Sequence, residues 1–306
     1  MKKQFKYIAF LTMILAVVVF SCKKKDTSLE GNDSIVEGKA NLLVDEALLP
    51  IVEDQLAVFE NTYNAKITLL PKSEKESVLD LANDKAKMII LSRKLTNNEE
   101  KLFKSKSIVP RTTAFATDAI AFIKSKTNKD TLIALTDVID FIKGKKNGIK
   151  GLVFDNPNSS SVRYLNELAG VNSLPYDNIY SFKTNDEVIK YVSQNEGMIG
   201  VVGINWISQP SLNMQQYIDK INVLSVKGDG GNYYYPSQDN IATRKYPLAR
   251  DLYIVNCQGY EGLGIGFASF MAGERGQRIV LKSGLAPIRI PGRKIVTRNQ
   301  IENDSK

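Results

Sequence analysis

The feature that most constrains this chain is a repeated change of period: short β-like apolar runs alternate with amphipathic segments of helix length through most of its 306 residues. A period of two followed by a period of 3.6, over and over, argues for an α/β protein rather than an all-α or all-β one. Residues 38–44 read as a first strand, 50–63 as a helix with Ile51, Leu56, Phe59 and Tyr63 inward, and 66–70 as a second strand. A helix over 74–83 and a strand over 87–91, ending at Ser92, continue the pattern. Strand 117–123, helix 135–144 closed by Gly144, strand 151–154, helix 162–168, helix 185–192 and strand 197–203 follow. Beyond a looser stretch from Leu224 that contains Tyr233, Tyr234 and Tyr235, the spacing predicts a strand-like run over 252–257, one long helix over 266–282 and a short strand over 287–290.

A different segment precedes the first strand. Lys2, Lys3 and Lys6 make a basic start, Ile8 to Phe20 form an apolar run, and Val19-Phe20-Ser21-Cys22 sets a small residue against a cysteine. The apolar run is too short to span a bilayer comfortably and reads as a secretory signal. It resembles a bacterial lipoprotein signal, which implies removal of residues 1–21, lipidation of Cys22 and a location outside the cytoplasm, anchored to a membrane. Residues 22–37 contain Lys23, Lys24, Lys25, Asp26, Ser28, Gly31, Asn32, Asp33 and Ser34, and read as a flexible polar tether.

About 270 residues then remain, more than one hydrophobic core usually serves, so two domains or one large α/β domain are expected. Apolar content of 43% with 24% charged residues is ordinary for a soluble globular protein. The formal charge is +8, and subtracting Lys2, Lys3 and Lys6 leaves +5. That mild basic excess favours anionic ligands or surfaces. Lys143-Gly144-Lys145-Lys146 carries no interleaved aromatics and reads as a solvated loop, so no nucleic acid partner is expected. With Cys22 assigned to lipid, Cys257 has no partner for an internal disulfide and reads as a buried, inert thiol. Histidine is absent altogether. Its absence removes Ser-His-Asp and Cys-His catalysis and the commonest zinc ligand. No nucleophile-elbow or Walker sequence occurs, and no metal or cofactor is expected.

Four segments carry a family likeness: Ala116-Thr117-Asp118 to Ile123 with Leu135-Thr136 to Gly144; Asp186-Glu187-Val188 to Val202; Tyr246-Pro247-Leu248 to Tyr253; and Gly276-Gln277-Arg278 to Ile288. In this order they resemble the periplasmic substrate-binding proteins of ABC transporters, in particular the phosphate-binding branch, and the likeness covers nearly all of residues 38–290. The resemblance implies a two-lobed α/β fold, each lobe a doubly wound sheet with helices on both faces, joined by two crossover strands. Lobe one would take residues 38–115 plus 236–306, and lobe two residues 116–235. Ligand would sit between them at the carboxyl ends of the strands, with closure by a hinge motion. It further implies a monomer that hands inorganic phosphate or a related anion to an ABC permease.

Among candidate ligand residues, Ser159, Ser160 and Ser161 stand where a helix begins, offering hydroxyls and free N–H groups to an anion, although one serine capping the helix explains part of the pattern. In the family this is the Ser-Gly-Thr helix start that grips phosphate. Arg163, two residues on, either turns back to the anion or faces solvent. The family's phosphate-gripping arginine precedes the serines by four positions, where this chain has Asp155, an acceptor in place of a donor. Ser92 and Arg93 end the third strand, where the family has a Ser-Asp pair whose carboxylate accepts the proton of hydrogen phosphate. Arg93 reverses that charge; it would bind an oxyanion bidentately without accepting a proton. Asp45 and Glu46, after the first strand, are expected to complement a helix dipole or, facing the cleft, to pair Arg93 or receive a cationic ligand. Thr117 and Asp118 on the crossover are candidates for ligand contact or for stiffening the hinge.

The leading expectation is a membrane-tethered solute receptor with no chemistry of its own. An enzyme would have to run on carboxylates such as Asp45, Glu46 or Asp118. A sensor or scaffold on the same fold, engaging an envelope partner through Tyr233 to Tyr235, stays open.

Overall fold

The computed structural model describes residues 33–292 other than 128, 175, 176 and 229. The lipoprotein signal, Cys22 and most of the tether lie outside these residues. Strand β1 (Glu37–Asp45) leads through a 3-10 turn (Glu46–Leu48) into α1 (Leu49–Thr62), and β2 (Asn64–Lys72), α2 (Glu74–Ala82), β3 (Met88–Leu91) and α3 (Asn97–Ser105) follow. Strand β4 (Arg111–Ser125) then runs 15 residues. After it come β5 (Leu132–Ala134), α4 (Leu135–Ile142), β6 (Gly151–Phe154), α5 (Ser160–Ala169), β7 (Ile179–Ser181), α6 (Asn185–Gln194) and β8 (Met198–Gly203). Short strands β9 (Ile221–Val223), β10 (Ser225–Lys227) and β11 (Tyr233–Tyr234) precede β12 (Ala249–Asn256), α7 (Leu263–Ala272), α8 (Glu274–Lys282) and β13 (Ala286–Pro287).

The main sheet has the order β2-β1-β3-β12-β4-β8-β6-β7. Two parallel groups, β2-β1-β3 and β8-β6-β7, flank an antiparallel centre of β12 and β4. Strand β4 belongs to both halves: Arg111 to Ala119 pair with β12, and Ile120 to Ile123 pair with β8. Its length makes it the crossover on which the two lobes are hung. Parallel strands need helical returns and are buried on both faces, which is why β3, β6 and the Leu42 to Val44 end of β1 read as unbroken apolar runs. Leu42 and Val44 enter one apolar cluster that continues through Phe122 into Leu152 and Val201, while Leu43 enters a second with Ile89, Leu91, Phe103 and Val255.

Helix starts are written locally. Ser73 with Glu76, and Thr96 with Glu99, form reciprocal capping boxes at α2 and α3. Gly170 ends α5 in the left-handed region at φ 66°. The long carboxyl-terminal helix expected over 266–282 is two helices. Gly273 is extended between α7 and α8, and a Cβ on Gly276 would come within 2.4 Å of the Phe270 carbonyl oxygen, so α8 folds back tightly over the end of α7. The last strand is β13, earlier and shorter than 287–290. Cys257 is buried and free, its thiol pushed up to about 12 by burial. Among the described residues no helix is long and apolar enough to cross a membrane.

Candidate functional site

Carboxyl ends of β1, β3 and β6 and the amino-terminal ends of α5 and α6 meet where the two halves of the sheet face each other. At β1, Asp45 is fully buried, and neither carboxylate oxygen has a hydrogen-bond partner. Burial first, then the charges of Glu74 and Asp155, push its carboxyl up to about 7, with Ser160 and Arg250 pulling the other way. Of the two roles open to Asp45, the helix-dipole one finds no capping bond, and the side chain is shut inside the cleft.

Ser159, Ser160 and Ser161 are all buried at the start of α5. Ser159 caps the helix, accepting from the Val162 N–H at 3.4 Å, and its Oγ donates to Asp155 Oδ1 at 2.7 Å. Ser160 Oγ accepts from Arg250 Nη1 at 2.9 Å, whereas Ser161 Oγ has no partner. Arg250 is a site residue that sequence reading missed, as are Glu74 and Asn185. It stands opposite Asp118 in the β12/β4 register, and its Nε and Nη2 both donate to Asp118 Oδ2, at 3.2 and 3.0 Å. Both side chains are buried. Asp118 Oδ1 is left without a partner, and burial raises its carboxyl against the pull of Arg250. The available signal was the charged pair Arg250-Asp251 inside the otherwise apolar run Leu248 to Val255.

Arg163 turns inward across the lobes, donating from Nε to Glu74 Oε1 at 2.8 Å and from Nη2 to Ser92 Oγ at 3.2 Å. Arg93 does not offer the fork expected of it. Its Nε joins the same Glu74 oxygen at 2.8 Å, and its two terminal nitrogens grip Glu99 at 2.8 and 3.0 Å. Glu74 Oε2, buried, has no partner. Both members of the Glu74–Arg163 pair line a groove of about 590 Å³ between α2, α3 and α5. Thr117 points away from this cluster, donating to Asp251 Oδ1 at 2.8 Å beside Arg244, which is a hinge contact between β4 and β12.

A second junction lies at α6. Asn185 Nδ2 donates to Glu46 Oε2 at 2.8 Å and to Asp155 Oδ2 at 3.2 Å, and its backbone N–H donates to Glu46 Oε1 at 3.2 Å. Trp206 Nε1 donates to the Ala47 carbonyl at 3.1 Å, and the Lys75 N–H to the Asn158 carbonyl at 3.3 Å. The lobes are thus in contact along the cleft. Arg250, Ser160 and Ser161 supply donors, and Asp45, Asp118 and Glu74 supply buried acceptors lacking partners. Buried polar groups are normally satisfied, so this concentration marks a place built to meet something polar. Among the described residues no cluster of His, Cys, Asp or Glu is arranged to hold a metal ion.

Comparison with known proteins agrees with this architecture. The model of the PBP superfamily domain matches residues 36–275. The phosphate-binding protein PstS of Borreliella burgdorferi is 26% identical over 307 residues, spanning 93% of this chain and 99% of that protein. A Clostridium perfringens protein whose structure holds bound phosphate has a TM-score of 0.67 at 18% identity, covering 82% of this chain and 100% of its own. An ABC-type phosphate transport receptor from Vibrio cholerae gives 0.62 at 15%, covering 82% and 100%. These structural likenesses are likenesses of fold, two lobes about a cleft. With most of its length matched and that topology in place, the chain belongs to the PBP superfamily.

Proposed function

We propose that this protein is an extracytoplasmic receptor that closes its two lobes on an oxyanion, inorganic phosphate first, and delivers it to an ABC permease. The observation that carries the reading is Arg250, buried at the lobe junction and hydrogen-bonded to Ser160 at the start of α5. A guanidinium beside a helix amino terminus with an unpartnered Ser161 hydroxyl is an anion-binding arrangement. It also makes good the donor missing at Asp155. Ionised, Asp45 supplies a buried acceptor in place of Arg93 and favours a ligand that itself donates a hydrogen bond; a protonated phosphate does, and fully ionised sulfate does not. The names of the relatives, phosphate-binding protein and phosphate transport receptor, point the same way.

In this reading residues 38–115 with 236–306 form lobe one, residues 116–235 form lobe two, and a single chain carries both walls of the site as a monomer. Lipidation at Cys22 and a leader up to residue 37 tether it near the permease and raise its effective concentration there. Calorimetric titration of the purified protein tests the ligand. Phosphate and arsenate are expected to bind and sulfate to give no heat at millimolar concentration; silence with all three overturns the reading.

A further inference from the structure

The cleft holds more carboxyls than its cations can balance. Asp45 from β1, Glu46 from the 3-10 turn and Asp155 from the end of β6 face one another, with Glu74 of α2 close to Asp45 and Asp118 of β4 held on Arg250 beside Ser160. Of the guanidiniums, Arg250 of β12 is committed to Asp118 and Ser160, while Arg163 and Arg93 are committed to Glu74, Glu167 and Glu99. An anion entering this set with every carboxyl ionised would add negative charge to an unbalanced negative site.

The wiring of Glu46 and Asp155 shows where the imbalance is relieved. Glu46 stands on one lobe and Asp155 on the other, and a single side-chain amide, Asn185 Nδ2, donates to both, at 2.8 and 3.2 Å. The amide cannot be turned round, because the Gly203 N–H donates to Asn185 Oδ1 at 3.2 Å. Ser159 and Asn185, both neutral, supply the remaining side-chain bonds of the pair. Two carboxyls brought together on one neutral donor are favourable when a proton is present and repel when both are ionised.

We infer that lobe closure on the anion takes up a proton, held by the Glu46–Asp155 carboxyl pair that closure brings together, so that capture is proton-linked. This rests on the anion-receptor reading above. Burial, then the charge of Asp155, push Glu46 up to about 8, with Asn185 pulling it back, and burial raises Asp155 as well. When the lobes part, Glu46 leaves Asp155 and Asn185, regains water and returns toward the ordinary carboxyl value of about 4.3. Between those values the closed form binds a proton that the open form does not. Closure is therefore favoured at the acidic end of the range and loses that advantage as pH rises through the pair's titration.

Isothermal titration of the full purified protein with inorganic phosphate, in two buffers of unlike ionisation enthalpy near neutral pH, counts the protons taken up per anion. Wild type is expected to take up roughly one proton more than Glu46→Gln, and its affinity to fall by up to about tenfold per pH unit where the variant's falls less steeply. Should Glu46→Gln not fold, Asp155→Asn is read the same way, with reduced uptake expected because the like charge is gone. Equal proton counts in wild type and a folded variant, with phosphate bound in both, overturn the inference and leave the receptor reading standing. No phosphate binding by wild type overturns both.

Discussion

Arg250 and Asp118 show how much one pair decides at the scale of single residues. Both are buried and joined by two hydrogen bonds, so removing either leaves a charge without its partner in a medium that solvates it poorly. Arg250→Met is expected to lower unfolding free energy by about 3–5 kcal/mol, and the double variant with Asp118→Leu to recover most of it, measured by denaturant melts. Asp45 predicts the opposite kind of effect. Its carboxyl is raised to about 7, so the folded protein holds a proton that the unfolded chain has already released above the ordinary carboxylate range, and stability drops as pH rises from that range to about 7 and levels off above it. Asp45→Asn is expected to remove this slope, gaining on the order of 4 kcal/mol over wild type above pH 8 in thermal or chemical melts. The role of Arg250 was not legible in sequence, and that of Asp45 only as one of two alternatives. Asp45 sits before a helix, where acids commonly complement the dipole, and Arg250 stands beside Asp251 in a strand, with nothing local to name its partner.

Elements were more readable, because caps and periods are local. Ser73 begins its helix through a bond three residues away, and the buried strands β3, β6 and β8 are near-continuous apolar runs. Helix α3 went unread because Asn97-Asn98-Glu99-Glu100 is polar and only Phe103 is buried. The break at Gly273 went unread for another reason: it goes with a close approach of α8 to the end of α7 that Gly276 permits, and no period registers such a contact. Gly276→Ala would set a methyl against the Phe270 and Met271 backbone, at 2.4 and 2.5 Å from their carbonyl oxygens, which neither can yield cheaply. A loss of about 1–3 kcal/mol is expected, read as a lower melting temperature.

For the whole molecule, the ion pair Glu74–Arg163, with Arg163 also on Ser92, is a fastening between lobes at the side of the cleft. Arg163 is partly exposed, so its contribution to global stability is screened and small. Its effect belongs to opening. Arg163→Ala is expected to speed phosphate release by several-fold to about tenfold in stopped-flow displacement, with association nearly unchanged. An unchanged release rate would show that the junctions at Asn185 and Trp206 hold the lobes without it. Alternation of period, the helix caps and the absence of histidine were determined by the sequence alone, since each is carried by residues within a few positions of one another or by composition. Which carboxyls share a cleft, and which arginine answers them, only tertiary structure decided. Arg250 meets Asp118 across 132 positions and Ser160 across 90, and Asn185 reaches Glu46 across 139. Burial and charge at such a site come from chain segments that only the folded sheet brings together, and the raised carboxyls follow from that assembly.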